Sequence, residues 1–212
     1  MKKLLTLLLI VTVVGFNGCA PPVRYSVTEW FHQLKPETVA VLPVKWGTEW
    51  AGGAEGGGSG DAEVARLFRT MSAERLTSMN YRTVSMEEVD RRYPETGREG
   101  FKKMAPADVA QALGVDAVLY ISITEWDPSL LATYASLEMG ATFELYGRNS
   151  SKLWRAEYES KESDIRLDRE SMELAVLKAY EPRIERFVRA VFSTLPPAEQ
   201  RTHKKRFFEW LP

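Results

Sequence analysis

Cys19 is the only cysteine of the 212-residue chain, and it stands where chemistry can act on it. Lys2 and Lys3 give a cationic start, residues 4–14 are apolar apart from threonines, and Phe16-Asn17-Gly18 leads into the thiol. That is an export signal, and its apolar run is too short for a comfortable membrane span. A cysteine closing such a signal is a lipidation site. Gly18 supplies the small residue expected before it, while Phe16 and Asn17 depart from the usual lipobox. Exported proteins seldom keep an unpaired thiol, which favours an acylated Cys19 as the mature N-terminus.

Other chemistry is sparse. His32 and His203 both fall in segments read as flanks, so a Ser-His-Asp arrangement or a zinc site in the domain lacks ligands. Glu125 with Asp127, or Glu138 with Glu144, could be imagined as a glycosidase-like pair, but acidic residues on a strand face are more often simply solvated. Gly56, Gly57, Gly58 and Gly60 precede a predicted helix, the place where backbone amides bind phosphate. Asp61 and Glu63 occupy that positive helix end, and no GxxxxGK[ST] spacing occurs, so a nucleotide site is not expected. The expectation is a protein without catalytic residues, metal or cofactor.

Aromatic residues offer binding chemistry instead. Trp46 and Trp50 flank the glycine-rich stretch 46–60, and Phe207, Phe208 and Trp210 follow the basic run from Arg201 to Arg206. Both are candidate partner-binding segments, since tryptophan is enriched at binding hot spots. The tail could equally fold back onto the domain. A small-ligand or glycan-binding module is the alternative, with Trp46, Trp50, Trp126 and Tyr134 as stacking groups.

The elements that must position these residues alternate between strand and helix. Residues 38–44 (TVAVLPV) read as a strand buried on both faces, ending near Pro43. After the glycine-rich loop, Val64, Leu67, Phe68, Met71, Leu76 and Met79 recur at helical steps, and Asn80 is a natural stop. Residues 81–84 form a second strand, parallel to the first through a right-handed crossover. Ser85 and Glu88 make a capping box for a short helix that Pro94 stops. Pro106 and Gly114 frame another helix. Residues 117–126 are a strongly apolar strand, with Leu119, Ile121 and Ile123 on one face and Val118 and Tyr120 on the other. Alternation over 131–146 puts Leu137, Met139, Ala141, Phe143 and Leu145 on one side, with Gly140 marking a bulge or bend. Residues 147–151 turn the chain, 152–158 return antiparallel, and a final helix over 169–195 carries Pro182 as an expected kink.

Composition sets the outer bounds. Removing residues 1–18 leaves 194, enough for one well-cored domain. Loss of Lys2 and Lys3 takes the net charge from -1 to -3, which gives no reason to expect a nucleic-acid partner. With one cysteine, a disulfide within the chain is impossible. The expected organisation is a signal peptide over 1–18, a lipidated N-terminus and tether over 19–37, a periplasmic α/β domain over 38–195, and a basic-aromatic tail over 196–212. Read as flexible coil, the tether would span on the order of 25 Å.

The segments TVAVLPV at 38–44, the helix at 61–79, GVDAVLYISITEW at 114–126 and LEMGATFELYGRNSSKLWRAE at 137–157 resemble a bacterial lipoprotein family typified by a meningococcal surface antigen. The wider group resembles the periplasmic α/β domain of the curli-type secretion lipoprotein, the lipoprotein activators of peptidoglycan synthases and the N-terminal domain of the Tol translocation protein. The resemblance implies a single α/β domain with a central mixed β-sheet of about five strands flanked by helices. It implies an accessory role among envelope or secretion proteins, a curli-type secretion lipoprotein among them, and transfers no catalytic residue. By resemblance to other bacterial lipoproteins, Ala20 in place of aspartate after the cysteine points to the periplasmic face of the outer membrane.

Overall fold

The computed structural model describes residues 22–47, 59–92, 104–128, 136–163 and 172–199. Its elements are β1 (Arg24–Val27), α1 (Glu29–Leu34), β2 (Thr38–Val41), β3 (Lys45–Trp46), α2 (Ser59–Ser78), β4 (Arg82–Thr83), α3 (Met86–Arg92), α4 (Pro106–Leu113), β5 (Ala117–Asp127), β6 (Ser136–Gly147), β7 (Lys152–Ser163) and α5 (Met172–Phe192). The α/β expectation holds, with a mixed sheet of seven strands where about five were expected.

The sheet order is β1-β7-β6-β5-β2-β4, and β3 also pairs with β5. Two kinds of pairing meet at β5. On one side β2 and β4 run parallel, as the apolar stretch 38–44 and its helical crossover require. On the other side β5, β6, β7 and β1 pair antiparallel, with a tight turn joining β6 to β7.

Strand periodicity distributes the core over both faces. Val39, Val41, Leu119, Ile121, Ile123, Leu137, Met139, Ala141, Phe143 and Leu145 share the larger cluster with Val64, Phe68 and Leu76 of α2 and Ile184, Phe187, Val188, Val191 and Phe192 of α5. Phe143 packs edge-on to Phe192, with ring centroids 5.8 Å apart, and the Trp154 indole donates to Thr194 Oγ1 at 3.1 Å. The opposite residues Ala40, Leu42, Val118 and Tyr120 join Val89 of α3 and Val109, Ala110 and Leu113 of α4. Every side chain assigned to a face of residues 118–123 lies on that face.

Local stop signals work as the residue types dictate. Asn80 ends α2 with φ 70°, and the Tyr81 amide donates back to Leu76 O. Gly114 ends α4 with φ 69°. Ser85 Oγ accepts the Glu88 amide at 3.2 Å ahead of α3. The helix α5 is continuous through Pro182.

Three expected boundaries move. Residues 24–34 belong to the domain and not to the expected tether: β1 pairs with β7 from Arg24–Glu157 to Val27–Trp154, and Phe31 of α1 is buried in the larger cluster. Non-local pairing to a strand edge provides hydrogen bonds that a four-residue polar stretch cannot make alone. Trp46 lies in a strand and not in the expected loop: Lys45 and Trp46 pair with Ser122 and Ile123, and Trp46 packs against the core. The domain also extends past 195. The Ala198 amide donates to Met79 O, and the Tyr81 hydroxyl donates to Pro196 O at 2.5 Å.

Candidate functional site

Glu138 and Glu144 share one face of β6 but lie far apart along it. The two are six positions apart along β6, which is about 20 Å of strand. Paired glycosidase carboxylates need about 5–10 Å. Each acid is instead engaged by cations from β7: Glu138 by Lys161, Glu144 by Lys152 at 2.6 Å and by Arg155 at 3.3 Å. Register explains this, because Glu138 lies opposite Lys161 and Glu144 opposite Arg155. Burial lowers the Lys152 pKa, and hydrogen bonding to Glu144 and Tyr146 outweighs it, leaving the ammonium above its usual range. Asp127 lies opposite Glu138, two residues beyond Glu125. The ladder continues to the sheet edge through Arg155 with Glu157 and Arg24 with Glu157 and Glu159. Alternating charges on an antiparallel face stabilise one register and discourage pairing with foreign strands.

The aromatic candidates separate. Trp46 is half-buried in β3 against the core. Trp126 stacks edge-on to Tyr180 of α5, with centroids 5.0 Å apart. These two indoles are therefore engaged in packing contacts. Trp50, Tyr134, Phe207, Phe208, Trp210 and the lipidation residue Cys19 lie outside the described residues. The same holds for Gly56, Gly57 and Gly58. At the helix they precede, Glu63 pairs with Arg66 at 2.5 Å. Among the described residues, no group of three or more His, Cys, Asp and Glu side chains is placed to hold a metal ion.

Sequence reasoning missed two features. Arg69 of α2 is 8% exposed, donates through Nε to Val41 O at 3.1 Å, and pairs with Asp90 of α3 at 2.7 Å. It clamps helices from opposite sides of the sheet at the carboxyl end of β2. Nothing in the helical periodicity marks it, since an arginine on α2 reads as surface. The second feature is the β1–α1 edge, where Tyr25, Trp30 and Leu34 stay exposed. The alternating Tyr25-Ser26-Val27 stretch before Glu29-Trp30-Phe31 was its available signal.

No family model matches the chain, and no curated protein sequence matches it. Among solved structures, lipoprotein GNA1162 from Neisseria meningitidis is similar over 71% of this chain and 99% of its own, at 20% identity and TM-score 0.49. A PelC dodecamer structure from Paraburkholderia phytofirmans is similar over 86% of this chain and 100% of its own, at 16% identity and TM-score 0.44. The hypothetical protein CT253 from Chlamydia trachomatis is similar over 74% and 93%, at 13% identity and TM-score 0.45.

Proposed function

We propose that this chain is an envelope lipoprotein, held through acylated Cys19 at the periplasmic face of the outer membrane, that serves a secretion or envelope complex by binding its proteins without catalysis. The observation that carries the reading is the order of Lys2-Lys3, an apolar run and a solitary Cys19 at the junction with an α/β domain. Each buried methylene adds about 0.8 kcal/mol of membrane affinity, so a multiply acylated cysteine holds a domain firmly. Among the described residues, no helix is long and apolar enough to cross a membrane, so attachment on this reading falls to the lipid. The charged ladder of β6 and β7 is internally paired, which suits a supporting face better than a reaction centre.

Labelling cells with radioactive palmitate and separating their membranes by density tests the anchor. The wild-type chain is expected to carry label in the outer-membrane fraction. Cys19→Ala is expected to lose both label and sedimentation with membranes, and a Cys19→Ala chain that keeps them overturns the reading. Crosslinking in the periplasm then tests the role, because capture of defined envelope proteins is expected. Turnover of peptidoglycan by the purified chain would instead place the protein among enzymes.

A further inference from the structure

We infer that the β1–α1 edge is a membrane-contact surface, on which Tyr25, Trp30 and Leu34 sit at the boundary between lipid headgroups and acyl chains. This rests on the anchor reading of Cys19 and adds how the domain lies on the bilayer. Tyr25 is 60% exposed, Trp30 48% and Leu34 38%, and among the described residues these are the large apolar side chains left exposed. All three fall within residues 24–34, the first strand and helix of the domain.

The arrangement within α1 shows that this exposure is not a failure to find the core. Phe31 turns inward and is buried, Trp30 faces out beside exposed Gln33, and Leu34, four residues after Trp30, sits at the rim with Cδ1 close to Gly147. A short helix with apolar residues on both sides needs two apolar environments. The domain core supplies one of them. Tyrosine and tryptophan suit the other, because each joins an apolar ring to a polar group, the chemistry enriched at bilayer interfaces.

Chain length selects the bilayer over other occupants. Four residues separate Cys19 from Arg24, so β1 begins at most about 18 Å from the anchored residue even on a fully extended path. Val23 is already partly packed against the core, which removes part of that slack. A tether of the eighteen or so residues first expected would have let the domain swing clear; this one keeps the β1 edge beside the surface that holds the lipid.

The test uses the full lipidated chain, purified from membranes and reconstituted into phosphatidylethanolamine–phosphatidylglycerol vesicles. Because acylation consumes the only native thiol, a nitroxide can be placed singly at Gln33→Cys beside Trp30, or at Glu88→Cys on α3 near the far edge of the sheet. The label at residue 33 is expected to be several-fold less accessible to an aqueous nickel complex, and more accessible to oxygen, than the label at 88. Adding Tyr25→Ser and Trp30→Ser is expected to bring residue 33 toward the accessibility of residue 88 with the melting temperature little changed. A chain that floats with the vesicles while both labels are equally open to nickel overturns the contact and leaves the anchor standing. A chain that does not float overturns the anchor reading and this contact with it. Spin–spin broadening at residue 33 without oxygen accessibility would show a second copy on this edge and also overturn the inference.

Discussion

Thr38 and Asp116 bind each other reciprocally across 78 residues of sequence. The Thr38 amide and hydroxyl donate to Asp116 Oδ2 at 2.9 and 2.7 Å, and the Asp116 amide donates to Thr38 Oγ1 at 2.9 Å. The Glu37 amide adds a bond to the same oxygen at 3.2 Å, and Arg148 of the β6–β7 turn pairs with the other oxygen. One side chain thus fixes the starts of β2 and β5 and the turn beside them. This is the junction between the parallel and antiparallel halves of the sheet.

That junction makes stability depend on acid. Burial raises the Asp116 pKa, but hydrogen bonds from Thr38, the amides of Thr38 and Glu37, and the Arg148 charge together hold it below the usual carboxylate range. A depressed folded value means the contribution is complete above the unfolded value of about 3.9 and is lost as pH falls through the folded one. Asp116→Asn is expected to flatten the acid limb of a urea-midpoint curve taken from pH 7 to pH 3. Thr38→Val removes the two hydroxyl bonds while the Thr38 and Glu37 amides still donate to Asp116 and the Asp116 amide still reaches Thr38 O, so a cost of about 0.5–1.5 kcal/mol is expected at neutral pH. Identical acid limbs for the wild type and Asp116→Asn would refute the assignment.

The Arg69 clamp predicts non-additivity. Asp90→Ala takes the carboxylate from a buried guanidinium that keeps its bond to Val41 O, and a loss of about 1–3 kcal/mol is expected. Combining it with Arg69→Met removes the stranded charge as well, and an apolar replacement of a buried pair is often neutral or stabilising. The double variant should therefore be more stable than the sum of the two single losses implies. Strict additivity in a chemical-denaturation cycle would show that the two residues act separately.

Gly140 lies where β5 slips register between Ile123 and Glu125. A Cβ there would come within 2.9 Å of Thr124 Oγ1 and 3.0 Å of Glu125 Cβ. The threonine can rotate away, but a Cβ cannot, so the strands must shift. Gly140→Ala is expected to destabilise by about 1–3 kcal/mol, read as a lower denaturation midpoint. An unchanged midpoint would mean that the bulge absorbs a methyl group freely.

The glycine-rich segment needs a narrower deletion than composition suggests. Removing 46–60 would take Trp46 from the core and the first residues of α2, so a fall in melting temperature is expected. Removing 48–58 and joining the ends with a short glycine–serine linker should leave the melting temperature within a few degrees while abolishing partner capture. Capture retained by the shorter deletion would exclude this segment as the binding surface.

How far the sequence reached depends on the range of the interactions involved. The α/β alternation, the faces of β5 and β6, the stops at Asn80 and Gly114 and the cap at Ser85 were all legible, because side-chain period and backbone preference act over a few residues. The signal pattern ending at Cys19 belongs to the same local kind of information. Tertiary structure alone decided that β1 joins β7, that the two-residue β3 joins β5, that Trp46 and Trp126 are packing residues, and that Arg69 is buried. Segments so short have no stable pairing of their own, and their hydrogen bonds exist only once a distant strand presents its edge. The same long-range pairing starts the paired sheet at Arg24 rather than near residue 38, and leaves Tyr25 and Trp30 exposed at that edge.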